Sequence, residues 1–340
     1  MTGPPDHLTD RPDRLELART MDPLSALIGS VRLTGGVFLD ARFSAPWCVT
    51  SQITAEDCRP FMAAPAQIVA YHVVTKGRLL LVLEGGDGAL EVNGGEIVLL
   101  PRNHGHTLGS ALGLQAVRAD DLIQSAPEGG LARIVHGGGG EATHLVCGFL
   151  GCEAVHNPLL AALPPVLKLD IRQAASRDWV EASVRFAARA LAEGQFPSSG
   201  IVSRLSELLF VEAVRAYVAT LPEEQTGWLK GVRDPYVGRA LALLHSRPNE
   251  PWTAATIAKQ VGLSRSAFND RFAALIGMAP IRYLTHWRLQ LARDKLRDGR
   301  ATIAQIAHAV GYESEVAFNR AFKRQYGEPP ARWRRAQSSR

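Results

Sequence analysis

The last hundred residues of this 340-residue chain carry one pattern twice, and a tandem repeat of this kind allows few folds. The first copy reads Thr256-Ile-Ala-Lys-Gln-Val-Gly-Leu-Ser264, then Ala267-Phe-Asn-Asp-Arg-Phe272, then Gly277-Met-Ala-Pro280. The second reads Gln305-Ile-Ala-His-Ala-Val-Gly-Tyr-Glu-Ser314, then Ala317-Phe-Asn-Arg-Ala-Phe322, then Gly327-Glu-Pro-Pro330. Ala258 pairs with Ala307, Val261 with Val310 and Gly262 with Gly311 at an offset of 49. Phe268 pairs with Phe318, Phe272 with Phe322, Gly277 with Gly327 and Pro280 with Pro330 at an offset of 50, so the second turn is one residue longer. In each copy a small Ala lets two helices approach, a Gly suits a left-handed turn, and a Ser caps the next helix. The two Phe, one helical turn apart, bury one face of that helix and leave the other polar.

This is the layout of a helix-turn-helix, whose second helix enters the major groove of DNA. Between the copies, residues 281–296 read as a long helix with Tyr283, Leu284, Trp287, Leu291 and Leu296 on its apolar side. Its roughly 18 residues span about 27 Å. One turn of B-DNA is about 34 Å, so two second helices on such a strut suit successive major grooves. Charge agrees. Residues 231–340 hold 19 Lys and Arg against 8 Asp and Glu, and the first 230 residues hold 19 against 25. A basic C-terminal module facing a polyanion and a differently employed N-terminal module are expected.

The N-terminal part has another texture. Residues 1–21 are rich in Pro, Asp and Arg without periodicity and read as a flexible arm. From 22 to about 165, short apolar runs alternate with Gly, Pro and Asp-Gly signals. Examples are Ile68-Val-Ala-Tyr-His-Val-Val74, Arg78-Leu-Leu-Leu-Val-Leu83, Ala89-Leu-Glu-Val92 and Glu96-Ile-Val-Leu-Leu100. With Glu84-Gly-Gly-Asp-Gly88 as a turn and Thr143-His-Leu-Val-Cys147 as a returning strand, the spacing predicts an antiparallel sandwich or barrel. Helical periodicity begins near Asp178, and Ile201, Leu205, Leu208, Leu209, Phe210 and Val214 form a stripe that offers a dimer face. The expected fold is α+β in two domains: a β-barrel domain with helices at 22–222 and an all-α domain at 233–338, joined by a linker at 223–232. With 46% hydrophobic residues the chain can bury a sizeable core, and no run of eighteen apolar residues exists to span a membrane. Without a secretory signal, the four cysteines are expected to be thiols in a cytoplasmic protein.

The repeat, the opening Trp252-Thr, the Trp287-Arg-Leu-x-x-Ala292 strut and the closing Gly327-x-x-Pro-x-x-Trp333-Arg resemble the DNA-binding domain of the AraC/XylS family of bacterial transcription regulators. The resemblance implies sequence-specific binding of promoter DNA, through Ser264, Arg265, Ser266, Asn269, Asp270 and Arg271 in the first copy. In the second, Glu315, Val316, Asn319, Arg320 and Lys323 take that role. It also implies a homodimer, an effector, and contact with RNA polymerase where the protein activates. One departure stands out: the family usually has Arg or Lys where the first copy has Asp270. Asp cannot contact phosphate favourably, but it can accept from cytosine N4, leaving Arg265 and Arg271 for the backbone.

Gly95, Pro101 and His106 match the second motif of cupins, with Asn103 replacing a Gly and Ser110 replacing an Asn. The region thus resembles the cupin-like effector domain of one AraC subgroup. Of the first cupin motif only Tyr71-His72 followed by Gly77 remains, so a three-histidine-plus-carboxylate site is not expected. His72, His106 and Cys147 each sit on or beside an expected strand and would suit tetrahedral zinc, with His104 and Cys152 as spare ligands. In that reading Cys147 is deprotonated and is the most reactive thiol, and Cys152 or Cys48 is its partner if the sensor is redox-active. The competing readings are an organic ligand in the barrel mouth and a metal-dependent cupin enzyme fused to a DNA-binding domain. A DNA-alkyl-repair sensor is disfavoured because no Cys follows a Pro.

Overall fold

The computed structural model describes residues 24, 33–59, 62, 65–86, 88–124, 132–152, 157–170, 199–222 and 227–338. The arm at 1–21 and the start of helical periodicity near Asp178 lie outside them. Strands β1 (Leu33–Ser44), β2 (Cys48–Ser51), β3 (Gln67–Lys76), β4 (Arg78–Leu83), β5 (Ala89–Asn93) and β6 (Glu96–Leu100) lead into β7 (His106–Gly109) and β8 (Val117–Arg118). Strands β9 (Ala132–Gly137), β10 (Ala142–Cys152) and β11 (Leu167–Asp170) follow, with short helices α1 (Ala55–Cys58) and α2 (Pro158–Ala162) between strands. Two sheets form, in the orders β11-β6-β3-β10-β1-β9 and β5-β4-β7-β2-β8. Among the described residues they face one another as a sandwich and do not close into the expected barrel. The pairing is mostly antiparallel, but β1 with β9 and β2 with β8 are parallel.

Strand alternation sends side chains to two different cores. Val74, Leu79, Leu81, Val98, Leu108, Leu145 and Cys147 fill the space between the sheets. Val69, Tyr71, Val73, Ile97, Leu99, Val146 and Leu150 face the other way. Helix α3 (Ser199–Thr220) covers that outer face through Leu209, Phe210, Ala213, Val214 and Val218. Tyr71 reaches it directly: its hydroxyl lies 2.7 Å from Ser206 Oγ and donates to the Gly36 carbonyl. Gly148 makes room, since a Cβ there would stand 2.2 Å from the Tyr71 ring. Part of the apolar stripe expected as a dimer face is therefore intramolecular core. Leu209, Phe210 and Val214 are buried, and of that stripe Leu208, 40% exposed, and half-buried Leu205 face outward.

The C-terminal part is helical: α4 (Trp228–Arg233), α5 (Pro235–Ser246), α6 (Ala254–Val261), α7 (Arg265–Ile276), α8 (Pro280–Asp298), α9 (Ile303–Ala309), α10 (Glu315–Tyr326) and α11 (Pro330–Ser338). Helix α4 occupies the second half of the expected linker at 223–232. Val237, Leu241, Ile257, Val261, Phe268, Phe272 and Leu284 belong to the same continuous apolar cluster as Phe210 and Leu160 of the N-terminal part. Leu289, Leu296, Ile306, Val310, Phe318, Phe322 and Trp333 form a separate one. The first helix-turn-helix thus shares its core with the β-sandwich, whereas the second has its own.

Candidate nucleic-acid interface and effector-domain site

Both repeats fold as their chemistry dictates. Helices α6 and α9 open with capping boxes, Thr253 with Thr256 and Thr302 with Gln305. The turns use left-handed glycines, Gly262 at φ 82° and Gly311 at φ 88°. Ser264 and Ser314 accept hydrogen bonds from the Ala267 and Ala317 amides at 3.2 Å, which starts α7 and α10. The paired Phe rings are fully buried with centroids 5.6 Å apart in each copy.

On the outward faces, Ser264, Arg265, Ser266 and Asp270 of the first copy are exposed, as are Glu315, Val316, Arg320 and Lys323 of the second. Val316 is 62% exposed, unusual for a β-branched aliphatic on a helix. Asn269 and Asn319 are half-buried, and Asn319 Nδ2 donates to the Glu315 carbonyl. Arg271 departs from expectation. Its Nε donates to Asp234 Oδ2 at 2.7 Å, its Nη2 lies 2.6 Å from the same oxygen, and its guanidinium rests over the Tyr236 ring. Asp234 caps α5 with its other oxygen, accepting from the Tyr236 and Val237 amides. Burial alone would raise the Asp234 carboxyl, but these hydrogen bonds and the Arg271 charge hold it below its usual range. Arg271 is thus a brace between α7 and α5, not a residue held out toward a phosphate. The sequence reading also passed over Arg324, exposed beside Lys323 where the first copy has Ala273 and Ala274.

The strut α8 is held by residues no local pattern announced. Trp228 Nε1 donates to the Tyr283 hydroxyl at 2.8 Å, and that hydroxyl lies 2.7 Å from His245 Nε2. His245 stacks on Trp287, and burial pushes its imidazole down to about 3. Arg288 donates to the Pro248 and Glu250 carbonyls. Gly311 packs so close that a Cβ would stand 2.8 Å from Arg288 and from Asn249. Arg288 thereby ties the second turn to the loop before the first copy and sets the angle between them.

In the sandwich, the structure brings His72, His106 and Cys147 together, but as a line and not around a point. Register places Cys147 opposite His72. Cys147 Sγ lies 3.0 Å from His72 Nδ1, and His72 Nε2 lies 2.8 Å from His106 Nε2. His106 Nδ1 is 2.9 Å from the His104 carbonyl, which can only accept, so Nδ1 carries the proton. The remaining directions follow for neutral rings: His106 Nε2 accepts from His72 Nε2–H, and His72 Nδ1 accepts from the Cys147 thiol. Cys147 and His106 occupy opposite nitrogens of one ring, so the three cannot converge on a single ion in this arrangement, and the expected zinc triad is corrected to a hydrogen-bonded chain. Among the described residues no cluster of three or more His, Cys, Asp or Glu is arranged to hold a metal ion.

The spare ligands fare likewise. Cys152 lies five residues along β10 from Cys147, about 17 Å at strand rise and on the opposite face. It can neither join the histidines nor form a disulfide with Cys147. His104 supplies its carbonyl to His106, and its ring Nδ1 is buried without a partner. The expected reactive thiolate is also corrected. Burial, with the nearby Asp40 charge, pushes the Cys147 thiol up to about 12. Burial holds His72 well below its usual range, with the His106 charge adding to it, and lowers His106. Desolvation disfavours every charged form, and no imidazolium remains to stabilise a thiolate. The cupin-motif departures have structural uses: Asn103 sits at φ 48° and bonds both backbone groups of Ile53, and Ser110 bonds the Trp47 backbone.

A β-sandwich of cupin type ahead of two helix-turn-helix units defines a DNA-binding protein with a separate N-terminal cupin domain. Residues 22–219 match the family model described as Cupin, and 257–336 match that of a helix-turn-helix domain. An AraC-like transcription regulator of Streptomyces lividans is 34% identical over 79% of this chain and 87% of its own. The transcriptional regulator AlkR of Acinetobacter baylyi is 29% identical over 92% of this chain and 99% of its own. The solved DNA-binding domain of AdpA in complex with a target DNA is 30% identical, covering 31% of this chain and 95% of its own, at a TM-score of 0.30. The chain belongs to the AraC-type transcription regulators with a cupin N-terminal domain. Among the described residues no helix is long and apolar enough to cross a membrane.

Proposed function

We propose that the chain is a cytoplasmic, non-enzymatic promoter switch in which residues 22–222 sense an effector and residues 233–338 bind DNA with both helix-turn-helix units. The observation that carries this reading is the pair of outward polar helices α7 and α10 on one strut, the first built on the core of the cupin domain. Ser264, Arg265, Ser266, Asn269, Asp270, Glu315, Val316, Asn319, Arg320 and Lys323 are the proposed contacts. Val316 suits a thymine methyl and Arg320 a guanine edge. RNA polymerase is the further partner where the bound protein activates.

The two helices are unequal, because Lys323 and Arg324 stand where the first copy has alanines. Phosphate anchoring therefore rests mainly on α10. Replacing Lys323 and Arg324 by Ala should lower the dependence of log K on log salt by about 2, while Arg271→Ala changes that slope little. The check is a salt titration on a duplex selected from a random pool by the full chain, with footprinting. Two protected blocks about one turn apart are expected, and a single block rejects the two-helix reading.

The chain is proposed to act as a homodimer through the outward face of α3. Antiparallel pairing centred on Leu208 sets Arg204 against Glu212 of a second copy and Leu205 against Val211, so the face is self-complementary in charge and in apolarity. Leu208→Glu should shift the full chain to monomer in sedimentation velocity at micromolar concentration. Arg204→Glu should weaken the dimer, and adding Glu212→Arg should restore it; a monomeric parent removes the proposal.

A further inference from the structure

Helix α2 is five residues long, yet it touches everything a signal would have to cross. Its start is tied to β10, the strand that carries Cys147. Asn157 caps α2 by accepting from the Leu159 amide at 2.9 Å and the Leu160 amide at 3.4 Å. The same side chain donates from Nδ2 to Cys152 Sγ, at the end of β10. Its other end is tied to the loop that carries the histidines. Arg102 Nη1 donates to the Ala161 carbonyl at 3.3 Å and the Leu163 carbonyl at 3.1 Å, groups with no helical partner of their own. Arg102 stands two residues before His104 and four before His106. Both ends of the hydrogen-bonded chain Cys147–His72–His106 are thereby connected to α2.

The far side of α2 meets the DNA-binding domain. Leu159, Leu160 and Leu163 are buried in the cluster that also holds Leu229 and Val232 of α4. Helix α4 in turn lies against the end of the first recognition helix. The Gly227 amide donates to the Leu275 carbonyl at 2.9 Å, and a Cβ on Gly231 would stand 2.4 Å from Ile276 Cδ1. With no side chain on Gly231, Ile276 packs directly on the α4 backbone, which joins α4 to the end of α7. Trp228, the first residue of α4, also holds the strut through Tyr283.

We propose that α2 couples the cupin domain to the first helix-turn-helix, and that Arg102 is the positioning residue that makes α2 follow the His104–His106 loop. The proposal rests on the reading that the N-terminal domain senses an effector. Close-packed elements move as bodies, so a shift of this loop pulls the end of α2, tilts α4 and displaces α7 against its groove. Arg102 is exposed, so its replacement cuts the tie without opening a cavity in the core.

The test is a double-mutant cycle on the full chain, reading Kd for a duplex selected from a random pool. His106→Gln perturbs the sandwich, with Cys147→Ala as a second perturbation should the first unfold the protein. With Arg102 present, the perturbation is expected to change Kd about fivefold or more. In Arg102→Ala the same perturbation should change it less than about twofold. Arg102→Lys, which keeps the charge but lacks the planar fork, should fall between. Hydrogen exchange at 158–163 and 228–233 should rise together in Arg102→Ala; a purely local role would raise only the first. Additive effects, or sandwich substitutions without effect on Kd, overturn the coupling. Failure of the N-terminal domain to bind any small molecule or metal ion in a thermal-shift screen would instead sink the sensing reading and leave a non-additive cycle standing.

Discussion

Phe272→Ala is expected to destabilise the whole molecule by about 3–5 kcal/mol, whereas the equivalent Phe322→Ala should loosen only the second helix-turn-helix. Both rings are fully buried in equivalent places, so each truncation opens a comparable cavity. The difference lies in what surrounds them. Phe272 belongs to a cluster that runs through Leu284, Val261, Val237 and Leu229 to Leu160, Phe210 and Tyr71. Phe322 packs with Phe318, Ile306, Leu296 and Trp333, a cluster confined to the stretch from Leu289 to Trp333 and its partly buried neighbours. Thermal unfolding with hydrogen exchange resolved by segment checks this. Phe272→Ala should lower protection in the β-sandwich as well as in α7. Phe322→Ala should add an early transition limited to residues 300–338. Protection in the sandwich that ignores Phe272→Ala would refute a shared core.

Acid is expected to destabilise the protein, because the buried His72 and His106 and the half-buried His245 must stay neutral to remain where they are. His72 and His106 lie between the sheets, and His245 lies under the strut, its imidazole lowered by burial to about 3. In the unfolded chain each titrates near 6.5. Their folded values are depressed, so below about pH 6.5 the unfolded state binds protons that the folded state refuses. Stability then falls as pH falls. Each histidine contributes about 1.4 kcal/mol per pH unit until its folded value is reached, and for His245 that range extends down to about pH 3. His245→Gln should lower the parent's stability at pH 7.5, yet reduce the slope against pH by about 1.4 kcal/mol per unit. A slope below pH 6 that is unchanged in that variant would show that His245 protonates without cost.

What was legible in the sequence was what nearby residues determine among themselves. A Ser three residues before an Ala amide, a Gly after an apolar stripe and two Phe one turn apart create the repeated unit wherever the chain goes. The structure has those caps and turns at the expected positions. Strand alternation was legible for the same reason, and it placed His72, His106 and Cys147 in one neighbourhood. Hydrogen-bond direction was not legible, because it depends on which ring nitrogen each neighbour meets. That is set by the pairing of β3 with β10 and by the loop before β7.

The chain's own residues thus determined the two helix-turn-helix units with their outward polar helices, their caps, the strands and the division of charge between the two ends. Tertiary structure alone decided that Arg271 braces Asp234, that Cys147 and Cys152 open into different cores, and that Leu209, Phe210 and Val214 of the α3 stripe are interior. It alone decided, too, that the first repeat is fused to the sandwich while the second stands apart. The physical reason is range. Caps, turns and periodicity act over three or four residues, where the chain itself keeps partners together. Burial, pKa and ion pairing depend on groups tens to hundreds of residues away, which meet only once the sheets and helices have packed.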